Sequence, residues 1–306
     1  MKFSVTIPAY KRRFLRECLE SILQQSYKDF EIVIVDDASP EDLHSIVLEY
    51  SDDRIRYYRN EDNCGAVNVV DNWNKCLDYA TGEYLICMGD DDILQPWCLE
   101  EYVKIIEKYP GLGVYHACTE IIDEKGDFKN VTVARPEYES VYSFIWHRWE
   151  GGRNQYIGDF LYDIRLLREN GGFYKLPLAW ASDDITACVA AMNKGIANTQ
   201  KVCFCYRKNS LTISNSGNST IKLEAIAAEE EWYKKFLDKQ PQDLQDIKFH
   251  KCIVNNLLTH FRGRRKQTLL EDFAGRSVFR VFYWIPKLKR YKLSFSLILI
   301  AVIKSR

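Results

Sequence analysis

Four apolar runs alternate with three amphipathic stretches between residues 3 and 87, an order that few folds accept. Phe3, Val5 and Ile7 alternate with Ser4 and Thr6 in a short strand that ends at Pro8. Phe14, Leu15, Cys18, Leu19, Ile22 and Leu23 then share one helical face. "EIVIV" (residues 31–35) is a continuous apolar run of the kind buried on both sides of a parallel sheet. "SPED" follows, predicting a helix with Ser39 as N-cap and Pro40 at its first position. "RIRYY" (54–58) reads as a third strand. Val69, Val70, Trp73, Leu77 and Ala80 form a helical stripe ended at Gly82, and "EYLIC" (83–87) is the fourth strand. A β-α-β-α-β-α-β order implies an α/β fold with a mostly parallel, Rossmann-like sheet flanked by helices. Ligands then sit at the carboxyl ends of the strands.

Acidic residues collect at two of those ends. Asp36 and Asp37 follow the second strand; Asp90, Asp91 and Asp92 follow the fourth, two residues further on. Three adjacent carboxylates repel one another, and the arrangement suits a hard divalent cation shared with a phosphate ligand. The alternative is a solvated turn whose aspartates cap the next helix. Beyond Asp92 the sequence predicts a helix over 99–109, a strand over 113–117 and a hairpin turn at "DEKGD" (123–127). Residues 130–158 have no clear period and read as a long loop over the site. "RLLRENGGF" ends a helix at Gly171-Gly172, a well-marked helix spans 183–195, and "VCFCYR" (202–207) is a strand. From Ile221 onward the pattern is helical and basic.

Composition narrows the class. The 306 residues are 46% hydrophobic and 28% charged, as in a folded soluble protein. Ten cysteines show no CxxC and lie largely inside apolar patterns, which points to reduced thiols and a cytoplasmic protein. Met1 and Lys2 lead straight into a strand, leaving no room for a signal peptide. No GxGxxG follows the first strand, against a dinucleotide oxidoreductase, and the five histidines have no paired ligand spacing. The formal net charge of -1 hides an asymmetry: residues 262–306 hold twelve Lys/Arg against Glu271 and Asp272, a net of +10. Within that tail, 293–303 is apolar but shorter than the ~20 residues that span a bilayer. Residues 278–306 either lie on an anionic membrane surface as a peripheral, interfacial helix or pack on the protein or a second subunit of a homo-oligomer. No nucleic-acid module accompanies the basic patch.

"SVTIPAY", "LESILQQSYKDFEIVIVDDAS", "N-C-G", "ATGEYLICMGDDD" and "GGF" occur in an order and spacing that resemble the inverting family 2 glycosyltransferases of the GT-A fold, over about residues 3–215. The resemblance implies a catalytic domain over 1–217, with a nucleotide-binding half about 1–95 and an acceptor half about 96–217. A helical, basic C-terminal extension then occupies 218–306. It implies transfer of a sugar, hexosyl or N-acetylhexosaminyl, from a nucleotide sugar (UDP-sugar) to a glycan or lipid-linked acceptor in polysaccharide biosynthesis, with Mn2+ or Mg2+. Pro8, Ala9 and Tyr10 match the segment framing the base, with Tyr10 to stack on it. Asp37 matches the acceptor of the uracil N–H, and Asp36 supports its loop. The acidic D-x-D motif is shifted, since Gly89 stands at its first position. Asp90 is then the ribose partner with access to the metal, Asp91 the metal ligand, and Asp92 a cap for the next helix. "WASDDITAC" supplies Asp184 as general base, with Asp183 beside it and Trp180 as a sugar platform. Arg207 matches a position that meets the diphosphate. The competing reading is a relative that binds nucleotide or sugar without turnover.

Overall fold

The computed structural model describes residues 1–209, 218–274 and 279–304. The chain divides into two compact units, Met1–Lys175 with Ser182–Thr212, and Leu176–Ala181 with Ile213–Arg306. The expected domain end at 217 lies outside the described residues.

In the first unit, β1 (Phe3–Ala9), α1 (Leu15–Leu23), β2 (Phe30–Asp36), α2 (His44–Val47), β3 (Ile55–Arg59), α3 (Val69–Tyr79) and β4 (Tyr84–Cys87) realise the predicted alternation. They are followed by β5 (Ile93–Leu94), α4 (Cys98–Lys108), β6 (Val114–Ile122), β7 (Phe128–Val131), β8 (Tyr138–Glu139) and α5 (Val141–Trp149). β9 (Phe160–Asp163), α6 (Ile164–Glu169), α7 (Ser182–Ala191) and β10 (Ile196–Arg207) complete the unit. The strand order is β3-β2-β1-β4-β9-β6-β10-β5, with β7 on β6 and β8 on β10. β1 runs parallel to β2 and β4, and β2 parallel to β3. Ala9 pairs with Asp36 and Thr6 with Cys87, so the chain leaves β1, β2 and β4 at one edge of the sheet. Every residue of β2 is buried, which is why its sequence does not alternate. α1 covers the sheet with Leu15, Cys18, Leu19 and Ile22. All ten cysteines are free.

Three local expectations change. The segment 130–158 is not a bare loop: it holds β8 and α5, the latter capped by Ser140, whose side chain accepts from the Ser143 N–H. Val141, Phe144 and Ile145 form its buried face. Its aromatic and β-branched composition resembles a strand, so the short helical period is masked. β9 is an antiparallel insertion between β4 and β6, too brief to show a period. Ser39 does not cap α2. Its hydroxyl donates to the Tyr10 carbonyl at 2.6 Å and accepts from the Glu41 N–H, and the helix starts only at His44.

Glu31 sits at the opposite end of the sheet from the aspartates and ties three segments together. Its carboxylate accepts from Ser4 Oγ (2.6 Å), Thr81 N (2.6 Å), Thr81 Oγ1 (2.8 Å) and Arg56 (2.6 Å). Burial pushes its pKa up, but these hydrogen bonds and the Arg56 charge outweigh burial and hold it at about 2.

The second unit contains a 3₁₀ turn at Pro177–Ala179 and the helices α8 (Ser219–Leu237), α9 (Leu244–Phe273), α10 (Arg280–Trp284) and α11 (Phe295–Lys304). α8 and α9 pack through buried apolar residues including Leu223, Ile226 and Tyr233 against Phe261 and Leu269. Glu229–Arg264 and Glu230–Arg265 pair across the same contact. Among the described residues no helix is long and apolar enough to cross a membrane.

Replacing Glu31 with Gln removes charge-assisted bonds without changing shape. The unfolding free energy at neutral pH should fall by about 2 kcal/mol in a denaturant titration. The folded-state pKa of about 2 lies below the ordinary 4.5. The wild-type advantage is therefore full above pH 4.5 and disappears as the pH falls through 2, where the two proteins should converge.

Candidate active site

The loops after β1, β2 and β4 are knitted together by the aspartates at their ends. Asp37 N–H donates to the Ala9 carbonyl at 2.9 Å. Asp90 Oδ2 accepts from the backbone N–H groups of Tyr10 (2.7 Å) and Lys11 (2.6 Å). Pro8 and Ala9 are thus the last residues of β1, and Tyr10, 41% exposed, projects from the rim.

Asp36 and Asp37 divide their work. Asp36 is fully buried and accepts from Ser39 N (2.7 Å), Tyr57 Oη (2.5 Å) and Arg59 (2.5 Å), so it holds the turn. Ala38 follows with φ of 50°, a strained value for a residue with a Cβ, and turns the chain away from Asp37. Asp37 Oδ1 accepts from Asn60 Nδ2 (2.8 Å) and Cys64 N (2.9 Å), and Asn60 is braced by Asn72 at 3.0 Å. Asp37 Oδ2 accepts no bond among the described residues.

The triplet is shaped by Gly89. A Cβ there would stand 2.7 Å from Asp91 Oδ1 and 3.0 Å from Asp92 Oδ2, so the two carboxylates occupy the space of the missing side chain. Burial first, and the Asp91 charge second, push Asp90 up to about 6 and Asp92 well above the ordinary carboxyl range. Asp92 is not a helix cap: it leads into β5 and accepts from Arg207 N at 2.9 Å, while α4 begins after Trp97 with no side-chain cap. Asp91 is the most open of the three. Its Oδ2 lies 2.6 Å from Asn209 Nδ2 and 3.8 Å from Lys11 Nζ. Among the described residues no cluster of three or more His, Cys, Asp or Glu side chains is arranged to hold a metal ion. One accessible carboxylate, flanked by two whose charge a cation would relieve, fits an ion that completes its shell with substrate oxygens.

Arg207 is placed differently from its expected role. Its side chain is 1% exposed, donates to the Asp91 carbonyl (2.8 Å) and to Glu17 (2.5 Å), and lies 4.4 Å over the Phe14 ring. With its donors engaged inside the protein, it props the acidic turn from below.

Asp183 and Asp184 open α7, where a helix N-terminus favours negative charge. Asp183 Oδ1 accepts from Asp184 N at 2.9 Å. Asp184 Oδ1 accepts from Gln155 Nε2 and from Arg148 Nε, the latter at 3.3 Å. Burial first, then the neighbouring Asp184 charge, raises Asp183 well above the ordinary range. Tyr206 precedes Arg207, whose N–H donates to Asp92, and its ring partner Tyr156 follows Gln155, which donates to Asp184. Its ring stacks on Tyr156 at 3.7 Å, and its pKa is raised by burial and by Asp92, Tyr156, Asp91 and Asp183. Trp180 belongs to the second unit, where Lys222 Nζ lies 4.5 Å and Arg264 5.9 Å from its ring. It is therefore a cation–π partner there, in place of the open platform expected. Leu178, Ala179 and Ala181 around it have φ of 60°, 51° and 75°. Sequence reasoning missed Lys11, Gln155, Arg148 and Asn60. Lys11 was findable by its place beside Tyr10, whereas Gln155 lies in a segment without period.

The model of the glycosyl transferase family 2 matches residues 4–168, and the chain belongs to that family. EpsE of Bacillus subtilis, named for glycosyl transfer, is 36% identical over 129 residues, 41% of this chain and 45% of that protein. The GalNAc(5)-diNAcBac-PP-undecaprenol beta-1,3-glucosyltransferase of Campylobacter jejuni is 41% identical over 96 residues, 30% of each chain. The matched stretches span less than half the length of these relatives. Residues 1–349 of S. aureus TarS, in complex with UDP-GlcNAc, superpose with a TM-score of 0.66 at 17% identity, covering 100% of this chain and 90% of that one. The mannosyltransferase PcManGT of Pyrobaculum calidifontis, with GDP-Man and Mn2+, gives 0.56 at 16% identity, covering 99% and 85%. The fold is GT-A.

Gly89→Ala should leave the melting temperature within a few degrees of wild type yet lower sugar transfer by about tenfold or more, because Asp91 and Asp92 must turn aside. Steady-state kinetics beside a thermal melt tests this.

Proposed function

We propose that this glycosyltransferase moves a sugar from a UDP-sugar to a hydroxyl of a glycan or lipid-linked acceptor with inversion, using Asp184 as general base and a divalent cation at Asp91. The observation that carries the reading is a run of contacts joining the two acidic groups: the Arg207 N–H donates to Asp92, the adjacent Tyr206 stacks on Tyr156 at 3.7 Å, and Gln155, next to Tyr156, donates to Asp184. A donor phosphate group and an acceptor hydroxyl are thus given acidic partners on two sides of one aromatic pair.

Asp37 presents Oδ2 to the uracil N–H while Asn60 and Cys64 hold Oδ1, and Tyr10 stacks on the base. Asp90 fixes the Tyr10–Lys11 backbone and approaches the ribose. Mn2+ or Mg2+ held by Asp91 would neutralise charge on the departing diphosphate. Lys11, 3.8 Å from Asp91, adds a positive charge at the same edge. Asp184 takes the proton from the acceptor hydroxyl as attack proceeds. Gln155 and Arg148 orient its carboxylate through Oδ1, and Asp183 accepts from its backbone N–H. TarS and PcManGT accommodate uridine and guanosine nucleotides on this fold; the single-acceptor geometry at Asp37 favours uracil, whose N–H it matches. Action is peripheral, on the inner face of the cell membrane, where a lipid-linked acceptor would be met.

Asp184→Asn should reduce transfer by about a thousandfold while donor binding by calorimetry is unchanged. Full transfer by a folded Asp184→Asn protein removes that residue from the mechanism. Asp91→Ala should abolish stimulation by Mn2+ in a diphosphate-release assay, and chelator should bring wild type down to the same rate.

A further inference from the structure

The second unit carries a surface that the transfer chemistry does not use. α11 is apolar on both sides. Leu297, Ile298 and Ala301 are buried where it packs against α9 and α10. Phe295, Leu299 and Ile303, four residues apart, occupy the other side and are 51%, 44% and 73% exposed. α10 repeats the arrangement. Trp284 is fully buried and donates to Asp272 at 2.8 Å, and Arg280 forks onto the same carboxylate at 2.9 and 3.0 Å. With that anchor fixed, Phe279 and Phe282 stack on each other at 6.3 Å, 73% and 68% exposed.

The charge around these side chains is of one sign. Residues 279–304 contain six Lys/Arg and no Asp or Glu. Arg280, Arg290 and Lys292 pair with acids of α8 and α9. Lys287, Lys289 and Lys304 make no ion pair among the described residues. Lys287 Nζ lies 3.1 Å from the centre of the Tyr283 ring.

We propose that the exposed sides of α10 and α11 dock on an anionic lipid surface, Phe279, Phe282, Phe295, Leu299 and Ile303 entering the acyl boundary while Lys287, Lys289 and Lys304 meet the headgroups. A two-fold contact between copies would place this face against itself and bring unpaired lysines together with no acid to answer them. A leaflet of negative headgroups supplies the missing charge and takes the apolar side chains at once. Since no described helix can cross a bilayer, the contact is parallel to the surface. This deepens the reading of a transferase that works at a membrane. It can be tested without donor or acceptor, so its failure would leave the transfer chemistry standing, and an inactive enzyme would leave it intact.

The experiment is flotation of the full chain with phosphatidylcholine vesicles, with and without phosphatidylglycerol. Binding should be about tenfold stronger with phosphatidylglycerol and weaken as salt rises. The triple variant Phe279→Ser, Phe282→Ser, Ile303→Ser should lose about tenfold on the anionic vesicles with an unchanged melt and unchanged donor hydrolysis. Lys287→Gln with Lys289→Gln should lose the preference for phosphatidylglycerol. Equal binding to both vesicle types, or full binding by the triple variant, overturns the proposal. So does a dimer that the serine variants dissociate, because the face would then belong to a second copy.

Discussion

Carboxylates packed side by side stay ionised only when something answers their charge, and the active edge of this protein is organised around that constraint. Asp90 is answered by two backbone N–H groups, Asp92 by the Arg207 N–H, and Asp91 by Lys11 and Asn209. The answers to Asp90 and Asp92 are internal, and those two carboxyls are raised by burial. Asp91 remains the place where a mobile cation gains most. Gly89 makes the crowding sterically feasible, and Arg207, sealed among Phe14, Glu17 and the Asp91 carbonyl, supports it from inside.

The helical second unit meets its charges differently. Asp272 gathers Ser219, Arg280 and Trp284 around one buried carboxylate, and the glutamates of α8 face the arginines of α9. These contacts fix short helices that would not persist alone, and they leave the apolar sides of α10 and α11 turned outward.

The architecture of residues 3–87 was legible because buried parallel strands and amphipathic helices write strong, different periods. The acidic ends of β2 and β4 were legible for the same reason, once the strands were placed. What stayed hidden depended on distance in sequence. Arg207 is 116 residues from the carbonyl it holds, and Gln155 is 29 from Asp184. Neither carries a local signal of its partner. α5 was hidden for a second reason, since its residues prefer strands in isolation and become helical only against the core. Ser39 met a stronger competitor than its helix, the Tyr10 carbonyl.

The two hydrogen bonds from Tyr10 and Lys11 to Asp90 have a further consequence. They fasten the strip of backbone that presents an aromatic ring to the same turn that carries Asp91. By thermodynamic reciprocity, any coupling carried by these two bonds acts equally on an occupant at either end.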